Sequence, residues 1–379
     1  MALLSTRRHN LSAILTLLHH DGSQPRSALT AQTGLNRSTV AALVGELAEL
    51  GLVHETDPDP TNQVGRPSPT VNPDSRNLAI AINPEVDAVT VALVALGGHV
   101  VDTLRRETQG VPSPDEAVRL SAALVDELVA PLSPRSRVLG VGVAVPGLVR
   151  ADDGLVRLAP HLEWRDAPVA AMLAEATGYD VAVGNDARLG ALVEHIYGAG
   201  RGYDDLVYLN GGPSGIGGGV IAGGRLIGGA SGYAGEFGHT RGAGSGDLES
   251  LVRRSELLAV VGRTAASADE LEQLILRSDD PAVLATVHAQ LAALAPALGD
   301  AVNILNPPLI VLGGFLGTIL ARDPAYLDER VAAQALAAAY EDVRIARAAL
   351  GSDLLMIGAA ELIFARLLAD PARVRDLAA

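Results

Sequence analysis

The chain contains no cysteine and no lysine. The first absence excludes disulfides and any thiolate zinc site. The second makes every one of the 29 basic side chains an arginine, which, with abundant alanine, reads as compositional bias and not as mechanism. No uninterrupted apolar run reaches the roughly 18 residues a membrane span needs, because Asp, Arg or Pro breaks every long one. The opening residues, MALLSTRRHN, lack an apolar signal core followed by a cleavage site, so the expected location is the cytoplasm, with no membrane partner. What is present is 379 residues, 48% of them hydrophobic, enough for two or three globular domains.

A net charge of −15 argues against nucleic acid until its distribution is considered. Residues 1–72 carry 5 Arg against 6 Asp and Glu, whereas the remainder carries 24 against 38. The acidic load lies behind the first segment, which leaves a DNA contact open to that segment alone.

That segment reads as three short helices. Leu11, Ile14, Leu15 and Leu18 recur at helical spacing. A second helix opens at Pro25 and ends at Gly34. A third follows Asn36, a predicted N-cap, with Val40, Leu43, Val44, Leu47 and Leu50 as one apolar stripe. Two short helices joined by a Gly-containing turn match a helix-turn-helix. The stretch LVHETDPDPTNQVGRPSPTVNP then reads as a wing whose Pro-rich end doubles as a linker. The third helix would enter the major groove by its N-terminal end, presenting Asn36, Arg37, Ser38 and Thr39, with Arg26 placed for a phosphate. Arg66, in GRP, suits a narrow minor groove or is an ordinary loop arginine.

From Asn77 the pattern becomes α/β: three consecutive strands, a helix over 114–130 and a buried strand ending at Pro146–Gly147. A second round starts at DDLVYLNGG, passes through a glycine-rich hairpin and a long helical region at 247–305, and adds a strand, LIVLGG. A last helix runs from Leu354 to about Leu368. Two such rounds predict two related lobes with a cleft between them.

Asn185 and Asp186 stand at the carboxyl end of a strand, where open α/β sheets bind ligands. Asp186 reads as a general base, a hydroxyl acceptor or a helix cap. The glycines at 215–219 read as a phosphate cradle or simply as a turn. In GEFGHTRGAGSGDLES, Glu236, His239 and Glu249 combine carboxylates with an imidazole, a set suited to vicinal sugar hydroxyls or else a solvated loop. One His without Cys is too little for a metal.

These motifs, VGVAVPGLV, NDARLGALVE, GIGGGVIAGGRLIGGASGYAGEFGH, NILNPPLIVLGG and GSDLLMIGAAELI, resemble the ROK family (repressors, open reading frames, kinases) in order and over nearly the whole chain. The resemblance implies an N-terminal winged helix-turn-helix (1–72) joined to an actin/hexokinase-like two-lobed α/β domain. The first lobe is expected at 73–186 and the second at 187–379, with the C-terminal helix (about 354–379) packing back toward the first. It implies that Asn185, Asp186, Glu236, His239 and Glu249 hold a sugar. Three departures qualify this. Asp247 replaces the last cysteine of the family's zinc loop, so no metal or other cofactor is expected. Asn83, Glu85 and Asp87 fall on the kinases' phosphate loop, and negative charge there opposes phosphoryl transfer, so no enzyme activity is expected. His161 stands where the family usually carries a sugar-contacting amide; either the ligand departs from a glucose-like hexose or His161 has no ligand role. The expected function is a DNA-binding regulator, most simply a repressor of carbohydrate genes. Its expected partners are operator DNA and a sugar or sugar derivative, in a homodimer or homotetramer. The alternative is an ATP-dependent sugar kinase with an accessory DNA-binding domain.

Overall fold

The computed structural model describes residues 2–57, 68–241 and 246–378. The N-terminal unit comprises α1 (Ala2–Asp21), β1 (Gln24–Pro25), α2 (Arg26–Thr33), α3 (Arg37–Glu49), β2 (Val53–Thr56) and β3 (Thr70–Pro73). Gly34 closes α2 in the left-handed conformation, φ 68°, where a side chain would be strained. Asn36 caps α3, its Oδ1 accepting the Thr39 N–H at 2.8 Å. The stripe Val40, Leu43, Val44 and Leu47 is buried with Leu11, Ile14, Leu15 and Leu18. The expected wing strands pair antiparallel as β2 and β3, and β1 adds a third strand on the other side of β3. The wing tip, with Arg66, lies outside the described residues.

The expected linker is not one. β3 passes into the next strand through a three-residue turn at 74–76. Asp74 N donates to Leu52 O (2.9 Å), Asn77 Nδ2 to Gly51 O (2.8 Å) and Arg137 Nη1 to Leu50 O (3.3 Å). One apolar cluster runs from Ile14 and Leu47 through Ala79 and Ala144 to Ala359 and Phe364. Continuous burial joins the N-terminal unit to the body, and separating the two would expose that surface.

The first lobe holds β4 (Asn77–Pro84), β5 (Ala88–Ala95), β6 (His99–Glu107), α4 (Pro114–Val129) and β7 (Arg137–Val145). It continues with β8 (Leu148–Val149), β9 (Val156–Ala159), β10 (Trp164–Ala167), α5 (Val169–Thr177) and β11 (Val181–Asn185). The second lobe begins with α6 (Asp186–Tyr197), β12 (Leu206–Gly212), β13 (Gly215–Ala222), β14 (Arg225–Leu226), α7 (Leu248–Leu251), α8 (Arg254–Val260), α9 (Ala268–Arg277) and α10 (Pro281–Leu305). It ends with β15 (Leu309–Gly313), α11 (Gly314–Arg322), α12 (Pro324–Ala332), α13 (Ala337–Tyr340), β16 (Arg344–Arg347) and α14 (Leu354–Ala369).

The two main sheets repeat one plan. In the first, order β6-β5-β4-β7-β11, three antiparallel strands are followed by two parallel ones; the second, β14-β13-β12-β15-β16, is the same. This is the duplication the sequence led us to expect. The small β8-β9-β10 sheet was not anticipated, and the helical region at 247–305 is four helices, interrupted where Ser267 and Asp280 cap α9 and α10. α10 is, against the expectation from composition, long and apolar enough to cross a membrane, with mean hydropathy 1.5. Its Val287, Leu291, Leu294, Leu298 and Val302 instead fill the core of the second lobe. α14 leaves that lobe and packs across β4 and β7 of the first.

Candidate functional site

β11 delivers Asn185 and Asp186 to the rim of the first sheet, at the start of α6. Asn185 Oδ1 accepts the Arg188 N–H at 2.9 Å and caps α6, while its Nδ2 donates to Gly147 O at 2.9 Å. Its amide thus ties the strand end to the Pro146–Gly147 turn and sets where Asp186 stands. Asp186 Oδ1 accepts the Ala187 N–H at 2.7 Å. Burial pushes the Asp186 carboxyl up to about 7, and the charge of Glu236 pushes the same way.

Glu236 leads into a short 3-10 turn, Phe237–His239. Burial raises its pKa, opposed by His239 and Arg188 and reinforced by Glu249. His239 is exposed, with Nδ1 3.5 Å from Asp247 Oδ2. Asp247 accepts the Ser250 N–H at 3.0 Å and caps α7; the Ser250 side chain first, then that N–H bond and His239, hold its carboxyl below the usual range. One imidazole and one capping carboxylate do not fit a tetrahedral zinc site, and the Gly-Ala-Gly-Ser at 242–245, outside the described residues, contains no cysteine, histidine or carboxylate.

Glu249 rises from the first turn of α7 and lies against Gly215. At φ +103°, with the Glu249 carboxylate where a Cβ would be, position 215 favours glycine: any side chain would be strained and would displace that carboxylate. From the first lobe, His161 in the turn Pro160–Leu162 brings Nε2 within 3.8 Å of Glu249 Oε1. This contact crosses from one lobe to the other. Gly217 and Gly219, by contrast, lie directly under Ala187 and Ala191 of α6. These two hairpin glycines allow the helix to approach the sheet.

Arg188 was not anticipated. Its Nη1 donates to Gly232 O at 2.6 Å and its Nη2 to Ile227 O at 3.4 Å. Burial lowers its pKa, with Glu236 opposing. A charge two residues beyond Asp186 on an otherwise mostly apolar helix was the available signal. The structure therefore brings Asp186, Glu236, His239, Glu249 and His161 close together where the two lobes meet, sets Arg188 and Asp247 beside them, and gives Asn185 a supporting contact as well. Several hydroxyl acceptors in fixed directions, one of them protonated near neutrality, suit a ligand bearing multiple hydroxyls.

At the predicted phosphate loop, Asn83 pairs with Thr90 across the β4–β5 hairpin. Glu85 Oε1 accepts from Thr90 Oγ1 at 2.5 Å, and Arg105 Nη2 lies 3.3 Å from Glu85 Oε2 and 3.0 Å from Asp87 Oδ1. In the N-terminal unit, Arg37 is exposed in the first turn of α3. Ser38 Oγ donates to Asn36 Oδ1 at 2.7 Å, and Asn36 is exposed. Arg26 makes a two-point ion pair with Glu55 of β2, so a phosphate there would have to displace a carboxylate.

Two lobes of one sheet plan around a carboxylate-lined cleft define the actin/hexokinase-like class. The chain belongs to the ROK family, whose signature matches residues 79–366. It is 26% identical to the xylose repressor of Caldicellulosiruptor bescii over 376 residues, 91% of this chain and 93% of the repressor. It is 28% identical to the DNA-binding transcriptional dual regulator NagC of Escherichia coli over 235 residues, 61% and 56% of the two chains. A solved ROK family transcriptional regulator, a homologue of the E. coli MLC protein, superposes with TM-score 0.78 at 21% identity over 98% of this chain and 99% of its own. The ROK glucokinase of Streptomyces griseus, solved with glucose and AMPPNP, has TM-score 0.63 at 23% identity over 75% and 98%.

Proposed function

We propose that the protein is a transcriptional regulator, in the first instance a repressor of carbohydrate genes, that is released from its operator by a sugar or sugar derivative bound in the cleft. The observation that carries this is the three-helix, three-strand N-terminal unit packed on the two-lobed body, its α3 presenting Arg37 and Asn36 at an exposed N-terminal end, which we read as a winged helix-turn-helix. A homodimer would set two α3 helices into successive major grooves of a pseudo-palindrome. Asp186, Glu236 and Glu249 accept ligand hydroxyls, His239 and His161 contribute imidazoles from the two sides, and Asn185 positions Asp186. We read the cleft as binding without turnover: Glu85 and Asp87 stand at the hairpin tip that resembles the kinases' phosphate loop, and even with Arg105 paired to both they leave net negative charge there, whereas phosphoryl transfer needs the opposite sign.

The test is fluorescence-polarisation binding to duplex DNA from upstream of the protein's own gene, at physiological salt, since such affinities are salt-dependent. It is run without and with a panel of monosaccharides and sugar phosphates. D-Xylose leads the panel because relatives are xylose repressors. Specific binding weakened by one sugar is expected. Specific binding that no sugar alters would sink the clamp, and sugar-dependent ATP hydrolysis abolished by Asp186→Asn would replace the regulator with a kinase.

A further inference from the structure

The interface between the N-terminal unit and the body contains a buried polar junction at the end of α1. His19, the third residue from the end of α1, is fully buried, and Glu361 of α14 is nearly so. The Gly97 N–H, in the β5–β6 turn, donates to His19 Nδ1 at 2.8 Å. That bond puts the proton of the neutral ring on Nε2, which lies 2.8 Å from Glu361 Oε1. Tyr197 Oη donates to the same carboxylate oxygen at 2.9 Å and lies 3.0 Å from Nε2. His19, His20 and Glu361 hold three potential metal-ligand atoms within 4.8 Å of one another. With Nδ1 engaged by Gly97, however, no lone pair of the neutral His19 ring faces that cluster, so a metal is not its purpose.

Tyr197 is the last residue of α6, and Asp186 of the cleft is the first. Twelve residues of helix span about 18 Å, and α6 is gripped at the far end by more than Tyr197. The buried Glu194 carboxylate accepts the N–H groups of Ala199 (2.8 Å), Ala349 (3.1 Å) and Leu350 (2.8 Å), the last two just ahead of α14. Arg201, beyond α6, pairs with Asp21 at the end of α1. One rigid helix therefore has the cleft at its N-terminus and the DNA-binding unit at its C-terminus.

We propose that Tyr197 and Glu361 are positioning residues that lock His19, and with it the N-terminal unit, to the position of α6, so that a shift of α6 on ligand binding is passed to the DNA-binding helices. The proposal rests on the regulator reading for its consequence, but the lock itself can be tested without DNA or sugar. Tyr197→Phe keeps the ring and removes the hydroxyl. In the full-length protein, hydrogen exchange at Gly97, whose own bond to His19 the substitution does not touch, is expected to accelerate on the order of 10-fold as His19 loosens. In the DNA assay with D-xylose, sugar affinity is expected to stay within about 2-fold, while a sugar effect on DNA affinity on the order of 10-fold shrinks below about 3-fold. Unchanged exchange at Gly97, or an intact sugar effect, overturns the proposal. If D-xylose leaves the parent's DNA binding unaltered, that is a failure of the functional reading for this probe, and Gly97 exchange alone decides the lock. Should Tyr197→Phe fail to fold, Glu361→Gln, which keeps the side-chain shape, goes through the same measurements with the same expected directions.

Discussion

Asp186→Asn separates what the half-buried carboxyl does for the fold from what it does for a ligand. Asp186 has its carboxyl pushed from 3.8 up to about 7, by burial first and by Glu236 second. The folded state therefore holds the proton more tightly than the unfolded chain, and the sign follows. The contribution to stability is complete below about pH 4 and is lost as pH rises through about 7. A gap of about three units corresponds to about 4 kcal/mol, at about 1.4 kcal/mol per unit. Roughly 2–3 kcal/mol of that falls between pH 5 and pH 8, because the loss flattens once Asp186 is ionised in both states. Asparagine keeps the shape of the neutral acid and cannot ionise. Urea unfolding followed by far-UV circular dichroism, on parent and variant at pH 5, 6, 7 and 8, measures the difference directly, since groups common to both cancel. The variant is expected to gain on the parent by about 2–3 kcal/mol from pH 5 to pH 8. Parallel stability curves would refute the reasoning, because they would mean that Asp186 ionises in the folded protein as easily as in water.

Gly215→Ala places a Cβ on the Glu249 carboxylate at a left-handed backbone position. A loss on the order of 1–3 kcal/mol in thermal unfolding is expected, with sugar affinity reduced. Gly178→Ala, at φ +73° with open space around it, is the control that should cost less and leave sugar binding intact. Trp164, 2% exposed, donates from Nε1 to Pro112 O at 2.8 Å. Trp164→Phe should cost about 1–3 kcal/mol in denaturant unfolding by stranding that carbonyl; a neutral result would mean the carbonyl finds another donor. Arg37→Ala should weaken DNA binding and reduce the slope of log affinity against log salt by about 0.9, one phosphate's share. A slope equal to the parent's would remove Arg37 from the interface.

Local chemistry was the legible part. The cap at Asn36, the stop at Gly34 and the stripe from Val40 to Leu47 all depend on residues three or four apart, and each stands where its spacing placed it. Most strands of both lobes were likewise readable from short apolar runs, but the small β8-β9-β10 sheet and the edge strand β16 (Arg-Ile-Ala-Arg) were not, because those strands are two to four residues long and β16 is half arginine. The Pro-rich segment misled for a related reason. Composition marks where a chain can bend, but docking depends on whether a distant apolar surface, here on α14 and β4, meets the other side. In the cleft, the residue types were legible and their individual tasks were not. Asn185 reads as a ligand amide, but only the fold shows that Gly147 O and the Arg188 N–H already take one of its donors and one of its acceptor positions. Arg26 looks like a free cation until Glu55 is found beside it.

The sequence by itself determined the class of the protein: a small three-helix unit ahead of a duplicated α/β body, with carboxylates and imidazoles at strand and loop ends and no thiol to hold a metal. These follow from residue types and short periodicities, which act over a single turn or strand. Tertiary structure alone decided which charges share a site. His161 faces Glu249 across the lobes. Asp186 becomes a weak acid because burial removes water from it while Glu236 adds a like charge. His19 meets Glu361 only because α14 leaves the second lobe and returns across the first sheet. Such pairings are set by where the chain comes back in space, and electrostatic energy depends on that distance and on the water excluded from it, neither of which a one-dimensional pattern contains.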